Sequence, residues 1–107
     1  MPDSSISKFF EKSRKDRLKI IGNFANLSED ELITLENMNG GISFDKADKM
    51  IENAIGTFSL PLGIATNFKI NNKDYVVPMV IEEPSVIAAA SKGAKIARIK
   101  GGFEVTA

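Results

Sequence analysis

The apolar positions in the first half of the chain recur every three or four residues, which is the spacing of one helix face. Ser13 precedes the first run and Asp16 follows three positions later, a pattern that resembles a helix capping box. Ser28 and Glu31 repeat this pattern with the usual glutamate partner. We predict two helices, with Gly40-Gly41 ending the second. Their apolar faces carry Leu18, Ile21 and Phe24, and Leu32, Leu35 and Met38, respectively.

Two further helices are predicted on either side of this pair. A brief one, capped by Ser4 or Ser5, would carry two phenylalanines, Phe9 and Phe10. The other would begin after Ser43 and end at Gly56. Its apolar stripe consists of Phe44, Ala47, Met50, Ile51, Ala54 and Ile55.

From Thr57 onward the period changes to the alternation of a strand, with Ile64, Thr66, Phe68 and Ile70 on one side. Asn71-Asn72 tolerates left-handed backbone and predicts a hairpin turn. Residues 75–81 form a nearly continuous apolar run, which indicates a second strand covered on both faces. Pro78 places that strand at an edge or a bulge, because proline cannot donate a ladder hydrogen bond.

A final helix is predicted with Pro84 as its first residue. Its small inward face permits close packing against the hairpin. We expect Val86, Ala90, Ala94 and Ala97 to face inward, and Ser91, Lys95 and Arg98 to face outward. The order of helices, hairpin and helix predicts the α+β class.

Composition narrows the possible functions. The 107 residues allow one domain at most. The 14 basic and 14 acidic residues cancel, which argues against a nucleic-acid partner. The absence of histidine and cysteine excludes Cys/His metal sites and histidine-based catalysis within the chain, and we expect no metal site. Neither a membrane-spanning run nor a secretory signal is visible, so we expect a cytoplasmic protein with no membrane partner.

Two acidic residues, Glu82 and Glu83, leave the second strand and enter the final helix. A helix N-terminus stabilises negative charge, so the ordinary interpretation is that both carboxylates complement the helix dipole. A role in proton donation at neutral pH would require burial or a neighbouring negative charge. Both interpretations stay open on spacing alone.

The second candidate is the segment from Glu52 to Gly56, which is followed by Leu60-Pro61. Its glycine allows close approach of a ligand to the backbone, but residue types alone favour a simple helix stop followed by a turn, with Glu52 solvated. A basic stretch near the N-terminus could meet phosphates, although interleaved acidic residues favour a solvated face. It comprises Lys8, Lys12, Arg14, Lys15 and Arg17. No dinucleotide fingerprint or P-loop is present, so no cofactor-binding residue is assigned in this chain.

Three ordered stretches resemble the class II enzymes of the HMG-CoA reductase family. They are MIENAIGTFSLP at 50–61, NFKINNKDYVVP at 67–78 and EEPSVIAAAS at 82–91. The resemblance is strong over residues 43–103 and looser before them. The chain departs from the family pattern at Ala54, where valine is usual, and at Asn72, where a turn glycine is common.

The resemblance implies a role for five residues. Glu83 corresponds to the catalytic glutamate and Ser85 to a residue that contacts the hydroxymethylglutaryl group. Glu52, Asn53 and Gly56 lie in the substrate-binding motif. Residues 1–107 would be the N-terminal segment of the large substrate-binding and dimerisation domain. Within it, 1–42 would hold the N-terminal helices, and 43–107 the substrate-motif helix, the hairpin and the catalytic-glutamate helix.

The family interconverts HMG-CoA with mevalonate and CoA by two hydride transfers with NADH or NADPH. The resemblance implies that the catalytic lysine, aspartate and histidine, and the nicotinamide-binding domain, lie outside this chain. The chain alone is therefore expected to be inactive, and the longer enzyme to be a dimer-based homo-oligomer. An alternative is a stand-alone interaction or dimerisation module derived from the enzyme. A third possibility is a small domain that binds CoA or acyl-CoA.

Overall fold

The computed structural model describes residues 2–37 and 41–107. A short 3-10 turn, Phe9–Glu11, precedes four helices and one hairpin, so the predicted α+β class is confirmed. The helices are α1 (Arg14–Ala25), α2 (Glu29–Glu36), α3 (Phe44–Met50) and α4 (Val86–Arg98). The strands are β1 (Leu62–Ile70) and β2 (Lys73–Val80), which form an antiparallel pair.

Serine caps begin the first three helices, as predicted. The Ser13 hydroxyl accepts the Asp16 N–H, and the Ser28 hydroxyl accepts the Glu31 N–H. Glu31 also accepts the Ser28 N–H at 2.7 Å, which completes the capping box. Ser43 caps α3 in the same way. The predicted cap at Ser4 or Ser5 is wrong, because the 3-10 turn begins after Lys8 and Ser4 is fully buried elsewhere.

Helix α2 ends at Glu36, before the predicted glycine stop. The guanidinium of Arg14 donates to the carbonyl oxygens of Leu35 and Glu36, at 3.3 and 2.7 Å. These bonds satisfy carbonyls that the end of a helix leaves without partners. Met38 and Gly40, which the sequence placed at this helix end, lie outside the described residues.

Helix α3 ends at Met50, so the prediction that it reaches Gly56 is wrong. Ile51 already has extended backbone angles, and the side chains of Met50 and Ile55 are 70% and 100% exposed. Short helices depend on tertiary packing of an apolar face. The stripe beyond Met50 has no such packing partner among residues 2–37 and 41–107, which explains the early end.

The hairpin turns at Asn71 and Asn72, both with positive φ, as predicted from their side chains. Its register pairs Leu62 with Val80 and shifts between Ala65 and Phe68. Pro78 lies on an edge, since each strand of a two-stranded sheet is an edge strand. The prediction that the second strand is covered on both faces is wrong, because exposed and half-buried residues alternate along most of it.

The core is small and centres on the packing of α4 against β1. Ala65 and Ala94 are 0% and 1% exposed, and a Cβ at Gly63 would lie only 2.5 Å from the Ile87 side chain. Two predicted outward residues instead turn inward. The Ser91 hydroxyl accepts the backbone N–H of Thr66, and the side chain of Arg98 is only 20% exposed.

Candidate functional site

The link between β2 and α4 carries both glutamates of the sequence motif. β2 ends at Val80 and α4 begins at Val86, so Glu82 and Glu83 lie in the segment between the strand and the helix. Both side chains are exposed, and neither takes part in a hydrogen bond or ion pair within the described part of the chain. The carboxylate of Glu83 is therefore free to meet a ligand or a further part of the protein.

Ser85 occupies the N-cap position of α4 with φ 78° and ψ −20°, a left-handed conformation. The prediction that Pro84 opens the helix is wrong, since the first helical residue is Val86. The Ser85 hydroxyl makes no capping bond, although its carbonyl accepts the Ala89 N–H at 2.8 Å. Left-handed backbone at a residue other than glycine is strained, and such strain clusters at functional sites.

The other motif residues, Glu52, Asn53 and Gly56, lie in the irregular segment between α3 and β1 rather than on a helix. All three are exposed, Asn53 has φ 59°, and a Cβ at Gly56 would meet nothing within 4 Å. Phe58 in the same segment is 88% exposed. The backbone around Gly56 is thus open to a ligand or a neighbouring chain.

The hairpin brings the ends of the two motifs together. Leu62 pairs with Val80, so the residues before β1 and those after β2 leave the hairpin at the same end. The Ile81 N–H also donates to the Pro61 carbonyl at 3.3 Å. No hydrogen bond among the described residues joins Glu83 to Glu52, Asn53 or Gly56. The structure therefore unites the loops but not the individual polar side chains.

At the opposite end of the hairpin lies a polar cluster that sequence reasoning missed. Arg98 donates to the carboxylates of Asp74 and Asp3, at 2.6 and 2.8 Å. Ser4, fully buried, donates its N–H to Asp74 at 3.2 Å and accepts a bond from Arg98 at 3.2 Å. These partners are 24 to 95 residues apart in sequence, so no local pattern could have found them.

The cluster perturbs the titration of its two carboxyl groups. Burial acts to raise the pKa of Asp74, but hydrogen bonds from Arg98 and Ser4 outweigh it and the net pKa is lowered. The pKa of Asp3 is lowered mainly by hydrogen bonds from the side chain and backbone of Ser5. Both groups are therefore charged at neutral pH and hold the Arg98 guanidinium.

A cavity of about 710 Å³ adjoins the segment that leads into β1. Its walls include Phe58, Leu60 and Pro61 and the side chains of Arg14 and Arg17. Within the described ranges, no cluster of three or more metal-ligating side chains occurs. None of the helices described is long and apolar enough to cross a bilayer.

Comparison with known proteins adds an independent line of support. A model of the hydroxymethylglutaryl-coenzyme A reductase family matches residues 13–107. A 3-hydroxy-3-methylglutaryl-coenzyme A reductase of Archaeoglobus fulgidus is 55% identical over 100 residues, covering 94% of this chain and 22% of that protein. A probable reductase of Borreliella burgdorferi is 40% identical over 99 residues, covering 86% of this chain and 22% of its own length.

The fold agrees with these relatives. The class II reductase of Streptococcus pneumoniae, in a structure bound to NADPH in open conformations, superposes with a TM-score of 0.81 at 41% identity. The match covers 92% of this chain and 26% of that chain, so the present chain spans about a quarter of the length of these relatives. Since the family model extends over all but the first twelve residues, the chain belongs to the hydroxymethylglutaryl-coenzyme A reductase family.

Proposed function

We propose that this chain is the N-terminal segment of the large domain of an enzyme that interconverts HMG-CoA with mevalonate and CoA. The observation that carries the proposal is the location of Glu83. It is an exposed carboxylate, uncommitted among the described residues, on a link within the family-matched region. Ser85, held in strained backbone two residues later, supports a ligand-binding role for the same link.

In the proposed reaction, two hydrides from NADH or NADPH reduce the thioester of HMG-CoA to the primary alcohol of mevalonate. After the first hydride adds, the hemithioacetal collapses to the aldehyde, and CoA takes up one proton and leaves as the thiol. After the second hydride adds, the alkoxide takes up one proton and becomes the alcohol. Glu83 would belong to the network that supplies that proton. Ser85, Glu52, Asn53 and Gly56 would contact the substrate. No residue of this chain is assigned to hold the nicotinamide, and one catalytic group alone makes the isolated chain inactive.

The test is Glu83→Gln in the full-length protein, assayed as nicotinamide oxidation with HMG-CoA. We expect loss of at least about 100-fold in kcat, the range for removing a positioned proton-transfer group. Glu82→Gln is the matched control, because it removes the neighbouring exposed carboxylate from the same link. Retention of wild-type kcat by Glu83→Gln would reject the assigned role.

A second measurement addresses the third possibility, an autonomous CoA-binding domain. Titration calorimetry of the isolated chain with millimolar HMG-CoA is expected to give no binding heat, because the proposed contact residues are all exposed and no hydrogen bond joins Glu83 to the substrate motif among the described residues. A saturable heat would instead favour a self-sufficient binding site.

The stand-alone interaction module remains a second candidate, and the apolar surface around the substrate motif favours it. Large side chains there are unusually exposed, including Ile51 at 59%, Ile55 at 100% and Phe58 at 88%. Several exposed large apolar side chains within one segment are typical of an interaction site. We propose that a second copy of the chain covers it, in the dimer-based assembly of the enzyme or in the module alone.

Sedimentation equilibrium tests this assembly. We expect the chain to self-associate and Phe58→Ser to weaken this association. Phe10→Ser is the control and should leave the association unchanged, because Phe10 is also exposed, at 79%, but lies outside this segment. A monomer at all concentrations would reject assembly through this surface.

The remaining proposal, a cytoplasmic location, is tested by fractionation of cells that contain the full-length protein.

A further inference from the structure

The register shift in the hairpin leaves two neighbouring backbone donors without ladder partners. β1 and β2 pair regularly up to Ala65 and again from Phe68, and Asn67 has φ 70°. The Thr66 N–H donates to the Ser91 hydroxyl of α4 at 3.0 Å. The Asn67 N–H donates to the Ser4 carbonyl at 2.8 Å. Adjacent residues of one strand are thus bonded to two different elements.

Ser4 anchors the N-terminal strap, defined here as residues 3–10. Its hydroxyl lies 2.8 Å from the Phe68 carbonyl and 2.9 Å from the Asp74 carboxylate, and its single proton serves one of them at a time. Arg98 approaches the same hydroxyl as a donor. Ser4 is 0% exposed, so its hydrogen bonds are shielded from solvent.

Beyond this anchor the strap is loosely held. Among the described residues, no hydrogen bond joins residues 5–10 to the hairpin or to α4. The bonds they make are internal, such as Ser5 to Asp3 and Ile6 to the Ser4 carbonyl. The same residues form one wall of a cavity of about 880 Å³, whose other walls come from β1, from α4 with the following Ile99, and from Arg17 of α1.

The hairpin and α4, in contrast, contact each other directly. Ala65 and Ala94 pack in the interface, and the Ser91 hydroxyl accepts the Thr66 N–H at the register shift. After α4 the chain returns to the end of β1, where the Phe103 N–H donates to the Lys69 carbonyl at 2.7 Å. Phe103 also stacks on Phe68, with ring centroids 5.7 Å apart.

We propose that the N-terminal strap is a movable wall, which detaches at the Ser4 anchor and opens the cavity while the hairpin and α4 stay folded. The two hydrogen bonds at the register shift support this inference. Opening the strap breaks the bond from the Asn67 N–H to Ser4 but leaves the bond from the Thr66 N–H to Ser91 intact. Local opening of a loosely bonded unit, below the free energy of global unfolding, is common in native proteins.

Amide hydrogen exchange followed by NMR tests the proposal in the 107-residue chain, with each rate divided by its intrinsic rate. We expect at least about ten-fold less protection at Asn67 than at Thr66. Ser4→Ala should lower protection at Asn67 by about ten-fold or more, the scale of lost hydrogen bonds to charged groups. Protection at Thr66 should stay within about two-fold, as should both amides in the control Ser7→Ala.

Ser7 suits the control because it is an exposed strap serine whose side chain makes no hydrogen bond among the described residues. Equal protection at Thr66 and Asn67, falling together in Ser4→Ala, would overturn the proposal. If Ser4→Ala does not fold, Asp3→Asn replaces it, since this change weakens the Arg98 contact and the bonds from Ser5 but leaves the bonds of Ser4 in place. The same two amides then decide the outcome.

Access to the cavity gives a second readout. The chain has no cysteine, so Ile6→Cys introduces a single thiol on the cavity wall. Ile6 is already partly exposed, so the informative quantity is the change in modification rate, which Ser4→Ala should raise by about ten-fold. An unchanged modification rate in Ser4→Ala would also reject the movable wall.

Discussion

Arg98 at the end of α4 donates to Asp74 at the start of β2, with 2.6 Å between Nη1 and Oδ1. Both side chains are 20% exposed, which separates this pair from the exposed ion pair of Lys49 and Asp45. Partial burial reduces solvent screening, and Ser4 adds further hydrogen bonds to the same carboxylate. The pair therefore joins three distant parts of the chain.

Arg98→Met should lower the free energy of unfolding by about 2 kcal/mol, because it leaves Asp74 shielded from water without its cationic partner. Urea denaturation at pH 7 measures the change. Lys49→Met is the matched control and should cost less than about 0.5 kcal/mol, since its ion pair is at the surface. Equal effects of the two substitutions would contradict this account of the Arg98 contact.

Acid should weaken the fold through the same cluster. The pKa of Asp74 is lowered in the folded chain, so its stabilising contribution is fully present above the unfolded pKa of about 3.9. That contribution is lost as the pH falls through the lower, folded pKa. The pKa of Asp3 shifts in the same direction but belongs to a more exposed group.

Urea midpoints measured from pH 6 to pH 3 test this dependence. We expect the wild-type chain to lose stability below about pH 4, and Asp74→Asn to be less stable at pH 6 with a shallower acid slope. The two positively charged residues beside Asp74, Arg98 and Lys69, are the same in the wild-type chain and in Asp74→Asn. An identical slope in both proteins would assign the acid sensitivity to other carboxylates.

The return of the chain to β1 depends on the absence of a side chain at Gly102. Gly101 and Gly102 both have positive φ, 98° and 89°, but only a Cβ at Gly102 would overlap the Lys69 carbonyl. Each change to alanine should cost about 1–2 kcal/mol for the backbone conformation. Gly102→Ala should cost about 1–3 kcal/mol more, for the overlap. Thermal denaturation of both variants provides the comparison, and equal losses would refute the steric argument.

The strained backbone at Ser85 predicts a difference in stability between two substitutions at this position. Ser85→Gly should be more stable than Ser85→Ala by about 0.5 kcal/mol, because glycine adopts positive φ freely but loses more entropy on folding. The hydroxyl makes no capping bond, so its removal is the same in both variants. Chemical denaturation measures the difference. Greater stability of Ser85→Ala would show that the left-handed backbone at this position carries no strain.

Local patterns predicted those parts of the fold whose bonds are local. The caps at Ser13, Ser28 and Ser43 join residues three positions apart, and Asn71 and Asn72 carry the turn preference in their own side chains. The family resemblance likewise depends on contiguous motifs. For this reason the starts of α1, α2 and α3, the hairpin turn and the family could be predicted from the sequence.

The sequence by itself thus determined the class of fold, the starts of α1, α2 and α3, the hairpin turn and the family to which the chain belongs. Tertiary structure decided where α3 ends, which way Arg98 points and that Ser4 is buried. Helix ends and side-chain directions depend on partners that lie far away in sequence, and Ser4 meets Asp74 across 70 positions. A side chain without a nearby partner is placed by the packing of the whole molecule, which no local pattern encodes.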